Sequence, residues 1–371
     1  MKFLLLAGES SGDLHGANLL KNLKKLFPES NFYCFGGNKM ESEGGILLLH
    51  YREMAFMGFY EVLKNLRKIL KNLEFCKNWI VENKPDVIVY IDFPGFNMRI
   101  AKFAKEKGFK NIYYISPQIW AWKEGRVHQI KRDIDLMITI LPFEKAFYEK
   151  YGYKVEYVGH PLLDAIDMGC TENIPEKSTE FDIALLPGSR QQEIENILPV
   201  MIEFALKNPN LKFALAAAPS IEKSFYEKYI LGVENVKVIE GKTYDVIRYS
   251  RAAIVASGTA TLETALLNTP LVVVYKGNKL SYLIAKKLVR VKYISLVNLI
   301  LDRKAVPELI QDELNTANLD IEIKKLLEDN SAIKAQKNAF AELRKKLGGK
   351  GASERTALCI NNFLKNEAIT Q

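Results

Sequence analysis

The first half of the chain repeats a simple pattern, in which a short run of apolar residues is followed by a longer segment with apolar residues at helical spacing. The runs KFLLLAG and DVIVYID precede the segments SGDLHGANLLKNLKKLF and FNMRIAKFAKEKG, and the runs NIYYIS, DLMITIL and VEYVG continue the series. Continuous apolar runs are typical of strands buried on both faces. Their alternation with helices predicts a doubly wound α/β domain with a parallel sheet.

A second series of the same kind follows a polar linker at about residues 160–180. The alternation restarts with DIALLPGSR and continues through LKFALAAAP, VKVIEG, AAIVASG and LVVVYKG. From about residue 315 the pattern is helical only, and it ends in the amphipathic segment SERTALCINNFLKN. The 371 residues also exceed the roughly 250–300 at which a single core stops growing. We predict two doubly wound domains, 1–165 and 166–345, and a C-terminal helix within 346–371.

The composition is that of a globular protein with an anionic partner. Hydrophobic residues make up 48% of the chain and charged residues 26%, and no run reaches the ~20 apolar residues that span a bilayer. A net charge of +8 fits nucleic acid, an anionic membrane surface or a phosphorylated substrate. Because the basic residues are scattered over helix faces and form no known nucleic-acid module, we expect no nucleic-acid partner.

Cysteine and histidine usage predicts a reducing compartment and no structural metal. The four cysteines form no C-x-x-C pair, and the four histidines show no ligand spacing. The start, MKFLLLAGES, has an apolar run that stops at Gly8 and Glu9, shorter than a usual signal sequence. We therefore interpret it as a first buried strand. We also expect no cofactor.

Four of the predicted strands end in polar loops that contain glycine. In open parallel sheets ligands bind beyond the carboxyl ends of the strands, where the N–H groups of the following helices converge. The four loops are Gly8-Glu9-Ser10-Ser11-Gly12-Asp13, Asp92-Phe93-Pro94-Gly95-Phe96-Asn97, Gly188-Ser189-Arg190 and Ser257-Gly258-Thr259. We expect these loops to face one central cleft between the domains.

The two loops of the second domain have the features of a phosphate site. In Gly188-Ser189-Arg190 and in Ser257-Gly258-Thr259 a glycine lets the backbone approach an anion, and N–H and hydroxyl groups can bind its oxygens. Arg190 adds a charge-assisted contact that can replace a metal at a departing diphosphate. Glu263, one turn further, is placed to accept hydrogen bonds from ribose hydroxyls. The alternative is that the second loop only caps a helix and that Glu263 completes a capping box.

Asp92 is the candidate general base. A carboxylate near the cleft can take the proton of an attacking sugar hydroxyl, which contributes about 10²–10⁴ in rate. The alternative is that Asp92 is the N-cap of the helix after Pro94. Glu9 and Asp13 allow the same two interpretations, because carboxylates in glycine-rich turns often serve only as caps.

One acidic pair resembles a metal site but has the wrong position. Asp133-Ile134-Asp135 matches the D-x-D pattern by which some glycosyltransferases hold a metal on a nucleotide sugar. It precedes the predicted strand DLMITIL and so falls at the opposite end of the sheet from the ligand edge. We interpret it as a loop and expect a metal-independent reaction.

Several motifs together resemble the lipid-A-disaccharide synthase family, over nearly the whole chain and in order. The combination of GESSGD with DFPGFN and SPQIWAW is specific, whereas S-G-T alone occurs widely. The motifs are GESSGDLHGA (8–17), DFPGFN (92–97), SPQIWAWKEGRV (116–127), LPFEKAFYEKYG (141–152), VGHPLLD (158–164), LPGSRQQEI (186–194), ASGTATLETAL (256–266) and YISLVNLILDRKAVPELIQ (293–311).

The resemblance implies a GT-B fold and an inverting glycosyl transfer in lipid A biosynthesis. UDP-2,3-diacylglucosamine donates its sugar to 2,3-diacylglucosamine 1-phosphate, and UDP and a β-linked disaccharide 1-phosphate are released. It also implies a C-terminal helix that crosses back to the first domain and a possible homodimer. The enzyme is expected in the cytoplasm, peripherally on the cytoplasmic face of the inner membrane. The alternative enzyme is a UDP-sugar epimerase of the same fold.

The resemblance assigns roles residue by residue. The first domain is expected to bind the acceptor and to face the membrane, and the second to bind the UDP-sugar. Two departures are mild, namely Ser10 where the family often has alanine and Val297 where proline usually precedes the asparagine. The resemblance implies Asp92 as base, Arg190 as the donor-side arginine, Glu9 as the acidic residue of the first loop and Asn298 near the nucleotide, with Glu308 and Gln311 in the same C-terminal block. Together with the loops described above, the candidate residues are Glu9, Ser10, Ser11 and Asp13 at the acceptor, and Gly188, Ser189, Arg190, Ser257, Gly258, Thr259, Glu263, Asn298 and Glu308 at the nucleotide sugar.

The segment MAFMGFYEVLKNLRKIL, residues 54–70, combines apolar and basic side chains. Acylated substrates leave a membrane only at a cost of about 0.8 kcal/mol for each CH₂. We therefore predict that this segment contacts the membrane, with apolar groups in the acyl boundary and basic groups at anionic headgroups. The alternative is an ordinary amphipathic helix packed in the first domain. The predicted contacts are Met54, Phe56, Met57, Phe59, Tyr60, Lys64, Arg67 and Lys68.

Overall fold

The computed structural model describes residues 1–54, 65–168, 180–219, 221–278, 282 and 291–369. Contacts between residues divide the chain into two compact units. The first unit comprises Met1–Ala165 together with Leu347–Gln371, and the second comprises Ile166–Lys346. The first unit is therefore discontinuous in sequence.

The described part of the first unit is built on a seven-stranded parallel sheet in the order β3-β2-β1-β4-β5-β6-β7. The strands are β1 (Lys2–Ala7), β2 (Asn31–Gly36), β3 (Ile46–His50), β4 (Val87–Ile91), β5 (Asn111–Tyr114), β6 (Leu136–Thr139) and β7 (Glu156–Tyr157). The helices are α1 (Ser10–Leu26), α2 (Asn38–Ser42), α3 (Leu66–Asn83), α4 (Pro94–Glu106), α5 (Ile119–Trp122), α6 (Val127–Asp133) and α7 (Glu144–Glu149). Helix α8 (Leu162–Met168) contains the boundary between the two units.

Burial explains why apolar runs mark these strands. Every residue of β4 is buried, and so is β1 apart from Lys2, because helices cover both faces of the central strands. The outer strand β3 is only partly buried along its length. The start of the chain is thus a central strand, as its apolar run predicts.

The second unit repeats this plan with a six-stranded parallel sheet in the order β10-β9-β8-β11-β12-β13, again among the described residues. The strands are β8 (Phe181–Leu186), β9 (Phe213–Ala217), β10 (Val236–Glu240), β11 (Ser250–Ala256), β12 (Leu271–Tyr275) and β13 (Glu308–Ile310). The helices are α9 (Gln191–Lys207), α10 (Lys223–Ile230), α11 (Thr243–Arg248), α12 (Thr259–Leu266), α13 (Leu296–Leu301), α14 (Thr316–Glu328) and α15 (Asn330–Lys346). The predicted fold class, two Rossmann-like α/β domains, is confirmed.

The last helix, α16 (Ala352–Ile369), belongs to the first unit and packs against α1. The Asp164 carboxylate accepts hydrogen bonds from the N–H groups of Gly351 at 2.6 Å and Ser353 at 2.9 Å, which satisfies the start of this helix. Arg355 Nε donates to the carbonyl of Val158 at 2.8 Å. The predicted return of the C-terminal helix to the first domain is confirmed.

Candidate active site

In each sheet the strand order reverses at one place, between β1 and β4 in the first unit and between β8 and β11 in the second. Ligands of open α/β sheets bind at such switch points, outside the carboxyl ends of the strands. The loops that follow these strands are those singled out in the sequence. Within the first unit Glu9 and Asp92 therefore lie at one switch point, and within the second unit the loops 188–190 and 257–259 lie at the other.

Asp92 lies in an unusual backbone turn. Asp92 and Phe93 both have left-handed φ angles, of 48° and 49°, which cost of order 1–3 kcal/mol each for a non-glycine residue. The turn is held because the Asp92 carbonyl accepts hydrogen bonds from Tyr113 Oη at 2.6 Å and Asn97 Nδ2 at 2.7 Å. The N-cap of α4 is Phe93, without a side-chain cap. The alternative that Asp92 caps this helix is therefore wrong.

Gly8 explains how the first loop approaches this turn. A Cβ atom at Gly8 would lie 2.1 Å from Cδ1 of Phe93, so that only glycine leaves room for the aromatic ring. The Phe93 ring thus packs directly on the backbone that leads from β1 to Glu9. The two loops of this switch point are fixed against each other.

The Asp92 carboxyl group has the electrostatics of a general base. Burial raises the pKa of Asp92 to about 6, and the negative charge of Glu9 adds to the increase. A hydrogen bond from the Phe93 backbone acts in the opposite direction. A base with a pKa near the working pH combines ionisation with proton affinity.

Asp13 corrects one prediction for the acceptor. Its side chain is 3% exposed, and its carboxylate accepts hydrogen bonds from the N–H groups of Gly37 at 2.8 Å, Lys39 at 3.2 Å and Met40 at 3.1 Å. It therefore satisfies the start of α2 and is not available to a substrate. The predicted acceptor contact of Asp13 is wrong, and its interpretation as a cap is right.

Replacing Asp13 with alanine is expected to lower the free energy of unfolding by roughly 2–4 kcal/mol, because three backbone N–H groups, those of Gly37 and Met40 buried, lose their acceptor. Urea denaturation measures this change. The exposed Ser11, in the same turn of α1, provides the control, since Ser11→Ala should stay within about 0.5 kcal/mol of wild type. Equal stability of Asp13→Ala and wild type would contradict the capping role.

The other predicted acceptor residues lie at the open end of α1. Ser10 and Ser11 are exposed in the first helical turn, and Glu9 is the N-cap residue without a side-chain cap. The first turn of a helix has N–H groups without an intrahelical partner. Acceptor binding by Glu9, Ser10 and Ser11 stays a prediction.

In the second unit the loop Gly188-Ser189-Arg190 already binds a carboxylate. Glu193 accepts hydrogen bonds from Ser189 N at 3.3 Å and from Arg190 Nη1 at 3.0 Å. Gly188 has a φ of 124°, and a Cβ atom there would lie 2.7 Å from Glu193 Oε2. The loop can therefore hold an anionic oxygen with both a backbone N–H and a guanidinium, as a phosphate site requires.

The loop Ser257-Gly258-Thr259 starts α12 with Gly258 as N-cap and without a side-chain cap. The Ser257 hydroxyl donates to the carbonyl of Ile294 at 3.0 Å. The Glu263 carboxylate accepts from Tyr244 Oη at 3.3 Å, and burial raises the pKa of Glu263. The alternative that Glu263 completes a capping box is therefore wrong, and its contact with ribose stays a prediction.

Asn298 corrects a second prediction. It is fully buried, its Nδ2 donates to the carbonyl of Val306 and to Glu308, and its Oδ1 accepts from the N–H groups of Ala305 and Val306. Since both ends of the amide are used within the protein, the prediction that Asn298 binds the nucleotide directly is wrong. Glu308 also accepts from the N–H groups of Ile294 and Ser295. The pair positions the loop before β13, and a nucleotide contact of the half-buried Glu308 stays a prediction.

The membrane segment is only partly described. Met54 is 4% exposed and packs in the core of the first unit, so its predicted lipid contact is wrong. Arg67 and Lys68 are exposed on α3. The predicted contacts Phe56, Met57, Phe59, Tyr60 and Lys64 lie outside the described residues.

The D-x-D pair lies where the sequence places it, before β6 at the edge opposite the switch point. Asp133 is buried and pairs with Arg132, and Asp135 accepts from the N–H of Asn111 and pairs with Lys105. Both carboxylates thus have structural partners.

Two motifs meet in a buried contact that sequence reasoning missed. Glu144, in LPFEKAFYEKYG, is 1% exposed and accepts hydrogen bonds from Trp120 Nε1 of SPQIWAW and from the N–H groups of Ile140 and Leu141. Burial raises its pKa to about 7. Glu144 therefore joins two loops at the ligand edge of the first sheet.

Sequence reasoning also missed Glu193 and Tyr244, which contact the predicted site residues Arg190 and Glu263. Glu193 had a usable signal, because it follows Arg190 by three residues at a helix start, the spacing at which side chains on a helix pair. Tyr244 lies on α11, far from Glu263 in sequence, and had no signal.

Comparison with known proteins agrees with this geometry. A family model described as lipid-A-disaccharide synthetase matches residues 3–363. The lipid-A-disaccharide synthases of Syntrophus aciditrophicus and Geobacter metallireducens are 40% and 39% identical, and each match covers 98% of this chain and 97% of the relative.

Solved structures of the same fold are more distant in sequence. A UDP-GlcNAc 2-epimerase from Neisseria meningitidis bound to UDP-GlcNAc has a TM-score of 0.68 at 14% identity, covering 98% of this chain and 100% of that one. The glycotransferase of kitacinnamycin has a TM-score of 0.64 at 13% identity, covering 98% and 99%. These likenesses show the fold alone. The sequence matches show more, and the chain belongs to the lipid-A-disaccharide synthase family of glycosyltransferases.

Proposed function

We propose that this chain transfers the sugar of UDP-2,3-diacylglucosamine to 2,3-diacylglucosamine 1-phosphate. The first unit binds the acceptor, and the second unit binds the UDP-sugar. The observation that carries the proposal is the pair of switch points, one with the carboxyl group of Asp92, whose pKa burial raises to about 6, and the other with two loops suited to a diphosphate. Family membership supplies the identity of the substrates.

In the proposed reaction Asp92 takes the proton of the acceptor hydroxyl. The hydroxyl oxygen attacks the anomeric carbon of the donor, and the bond from that carbon to the β-phosphate oxygen breaks. UDP leaves with the electron pair, and attack from the opposite face inverts the anomeric centre to give the β-linked disaccharide. Arg190 and the N–H groups of loops 188–190 and 257–259 stabilise the developing charge on UDP.

The test is a transfer assay with both substrates in excess EDTA, followed by detection of the disaccharide and UDP. We expect turnover in EDTA, because the protein groups themselves stabilise the leaving diphosphate. A parallel incubation with the donor alone distinguishes the epimerase alternative, which would turn over without acceptor. Turnover of the donor without acceptor, or loss of all turnover in EDTA, would contradict the proposal.

We also propose peripheral binding to an anionic membrane surface. Within the described ranges no helix is both long and apolar enough to span a bilayer. The helix α3 exposes Leu66 by 42% and Leu70 by 53%, beside the exposed Arg67 and Lys68. This mixed surface suits headgroups and the acyl boundary together. Assembly into a homodimer stays a prediction.

A high-salt wash is expected to release the protein from anionic vesicles only partly. Insertion of an apolar side chain contributes about 1.5–3 kcal/mol, more than the roughly 1 kcal/mol of each basic residue that salt screens. In a vesicle sedimentation assay the double variant Leu66→Asn, Leu70→Asn should be released completely. Leu231→Asn, at a position 88% exposed in the second unit, is the matched control. Complete release of wild type by salt would refute insertion.

A further inference from the structure

A cavity of about 250 Å³ lies in the first unit at the start of α4, the helix that follows Asp92. It is formed by the start of α4, the segment before α5, and α6. Pro94 and Gly95, which line it, follow Asp92 at positions two and three along the chain. The cavity is smaller than the roughly 300–1,000 Å³ of pockets for whole drug-sized ligands, so it suits one polar group of a larger substrate.

The charge on the cavity wall is positive. Arg99 of α4 and Arg126 at the start of α6 both line it, and its lining contains no acidic residue. Neither guanidinium forms an ion pair with any carboxylate of the described residues, and both arginines are exposed. The Arg126 guanidinium lies 5.8 Å from the centre of the Trp122 ring, a contact that leaves its N–H groups available. Two guanidiniums without a carboxylate partner at one cavity are suited to a phosphate, which accepts their N–H bonds.

The rest of the wall is mostly apolar, with Gln129 as its other polar side chain. Met98, Ile119 and Ile130 line the cavity and are buried, and Pro117 lines it as well. The surface therefore offers two cations next to an apolar wall. The chemistry that matches it is a phosphate monoester attached to a molecule that also carries an acyl chain.

We propose that this cavity binds the phosphate of the acceptor, through Arg99 and Arg126, and that its apolar wall contacts the adjoining acyl chain. The inference rests on the proposed function and deepens it, since it assigns the acceptor a phosphate subsite separate from the diphosphate loops of the second unit. With the phosphate held there, the sugar ring extends from the cavity toward Asp92. Arg99 and Arg126 are positioning residues, and Asp92 remains the base.

The experiment compares the transfer kinetics of wild type and arginine variants with acceptors that carry or lack the phosphate. It is carried out in neutral detergent micelles without phospholipid. Arg99→Ala and Arg126→Ala should each raise the KM for the phosphorylated acceptor about tenfold to a hundredfold. The kcat and the KM for the donor should stay at wild-type values. With 2,3-diacylglucosamine that lacks the phosphate, wild type should lose the factors of both arginines, and each single variant should lose only the factor of its remaining arginine. The KM values of wild type and both variants should therefore converge with this acceptor. Lys102→Ala is the control, because Lys102 lies on α4, pairs with Glu106 at 3.9 Å and does not line the cavity.

The outcomes distinguish binding of the acceptor phosphate from a role in folding and from binding of a membrane headgroup. Equal losses of the arginine variants with both acceptors would overturn the proposal, because the side chains would then act on the fold. An effect that appears only after anionic phospholipid is added would also overturn it and assign the cavity to a membrane headgroup. Absence of any transfer by wild type would refute the proposed function itself. Thermal unfolding midpoints equal to wild type accompany the expected result.

Discussion

Replacing Asp92 with asparagine is expected to lower kcat about 10²–10⁴-fold, because no positioned base is then left to accept the proton of the acceptor hydroxyl. Asparagine has nearly the shape of aspartate, and the turn at Asp92 is held by its carbonyl through Tyr113 and Asn97, which the substitution leaves in place. The fold and UDP binding should therefore survive. Steady-state transfer kinetics and UDP titration of the same preparation measure both effects.

The pH profile provides an independent measure of the same residue. Because the active form is the carboxylate and burial with the Glu9 charge raises its pKa to about 6, kcat/KM of wild type should fall as the pH drops through about 6. The contribution of Asp92 to folding stability changes with pH in the opposite direction. A carboxyl group whose pKa is raised by folding contributes stability at low pH that is lost as the pH rises through about 6. At pH 8 Asp92→Asn should thus be no less stable than wild type.

A contrast with Asp13 makes this prediction specific. Asp13 lies in the first turn of α1 and accepts three backbone hydrogen bonds. Its replacement should therefore lower the free energy of unfolding and leave the acid limb of the pH profile unchanged. Near-normal turnover of Asp92→Asn, or an acid limb that persists unchanged in the residual activity, would remove Asp92 from the role of base.

Replacing Arg190 with alanine is expected to lower kcat about 10²–10³-fold, the usual cost of losing one group that stabilises charge in the transition state. Arg190 is half exposed and now pairs with Glu193 at 3.0 Å. A bound diphosphate would offer the guanidinium a stronger charge-assisted contact than this carboxylate. The measurement is single-turnover transfer at saturating donor, with UDP affinity determined separately.

The matched control is Arg251→Ala in the same unit. Arg251 lies at the start of β11, at the opposite edge of the sheet, where it pairs with Asp182 at 2.9 Å. Its loss removes a guanidinium without approaching the loops at the switch point. Equal kcat values for Arg190→Ala and Arg251→Ala would exclude a role for Arg190 at the leaving group.

The fold could be predicted because parallel strands that are buried on both faces are continuous apolar runs in the sequence. DVIVYID became β4, and KFLLLAG became β1, each followed by a helix. The loops at the switch points could be identified for the same reason, since a ligand edge is defined by where strands end. These are local properties of the chain.

What sequence reasoning could not supply depends on contacts between distant residues. Asp13 and Asp92 both follow strands in glycine-containing loops, and only the position of α2 shows that Asp13 is occupied. The amide of Asn298 is satisfied by residues around position 306, and Met54 is covered by the core. A residue type at a plausible position does not reveal whether its polar atoms are already bonded.

The discontinuous first unit affects how the chain is made. Its sheet is complete by residue 165, but the helix that covers α1 begins after residue 346. Between them 346 − 165 = 181 residues of the second unit have to be translated. At about 5–20 residues per second the ribosome needs roughly 9–36 s for this, during which the surface of α1 lacks its partner and is open to chaperones.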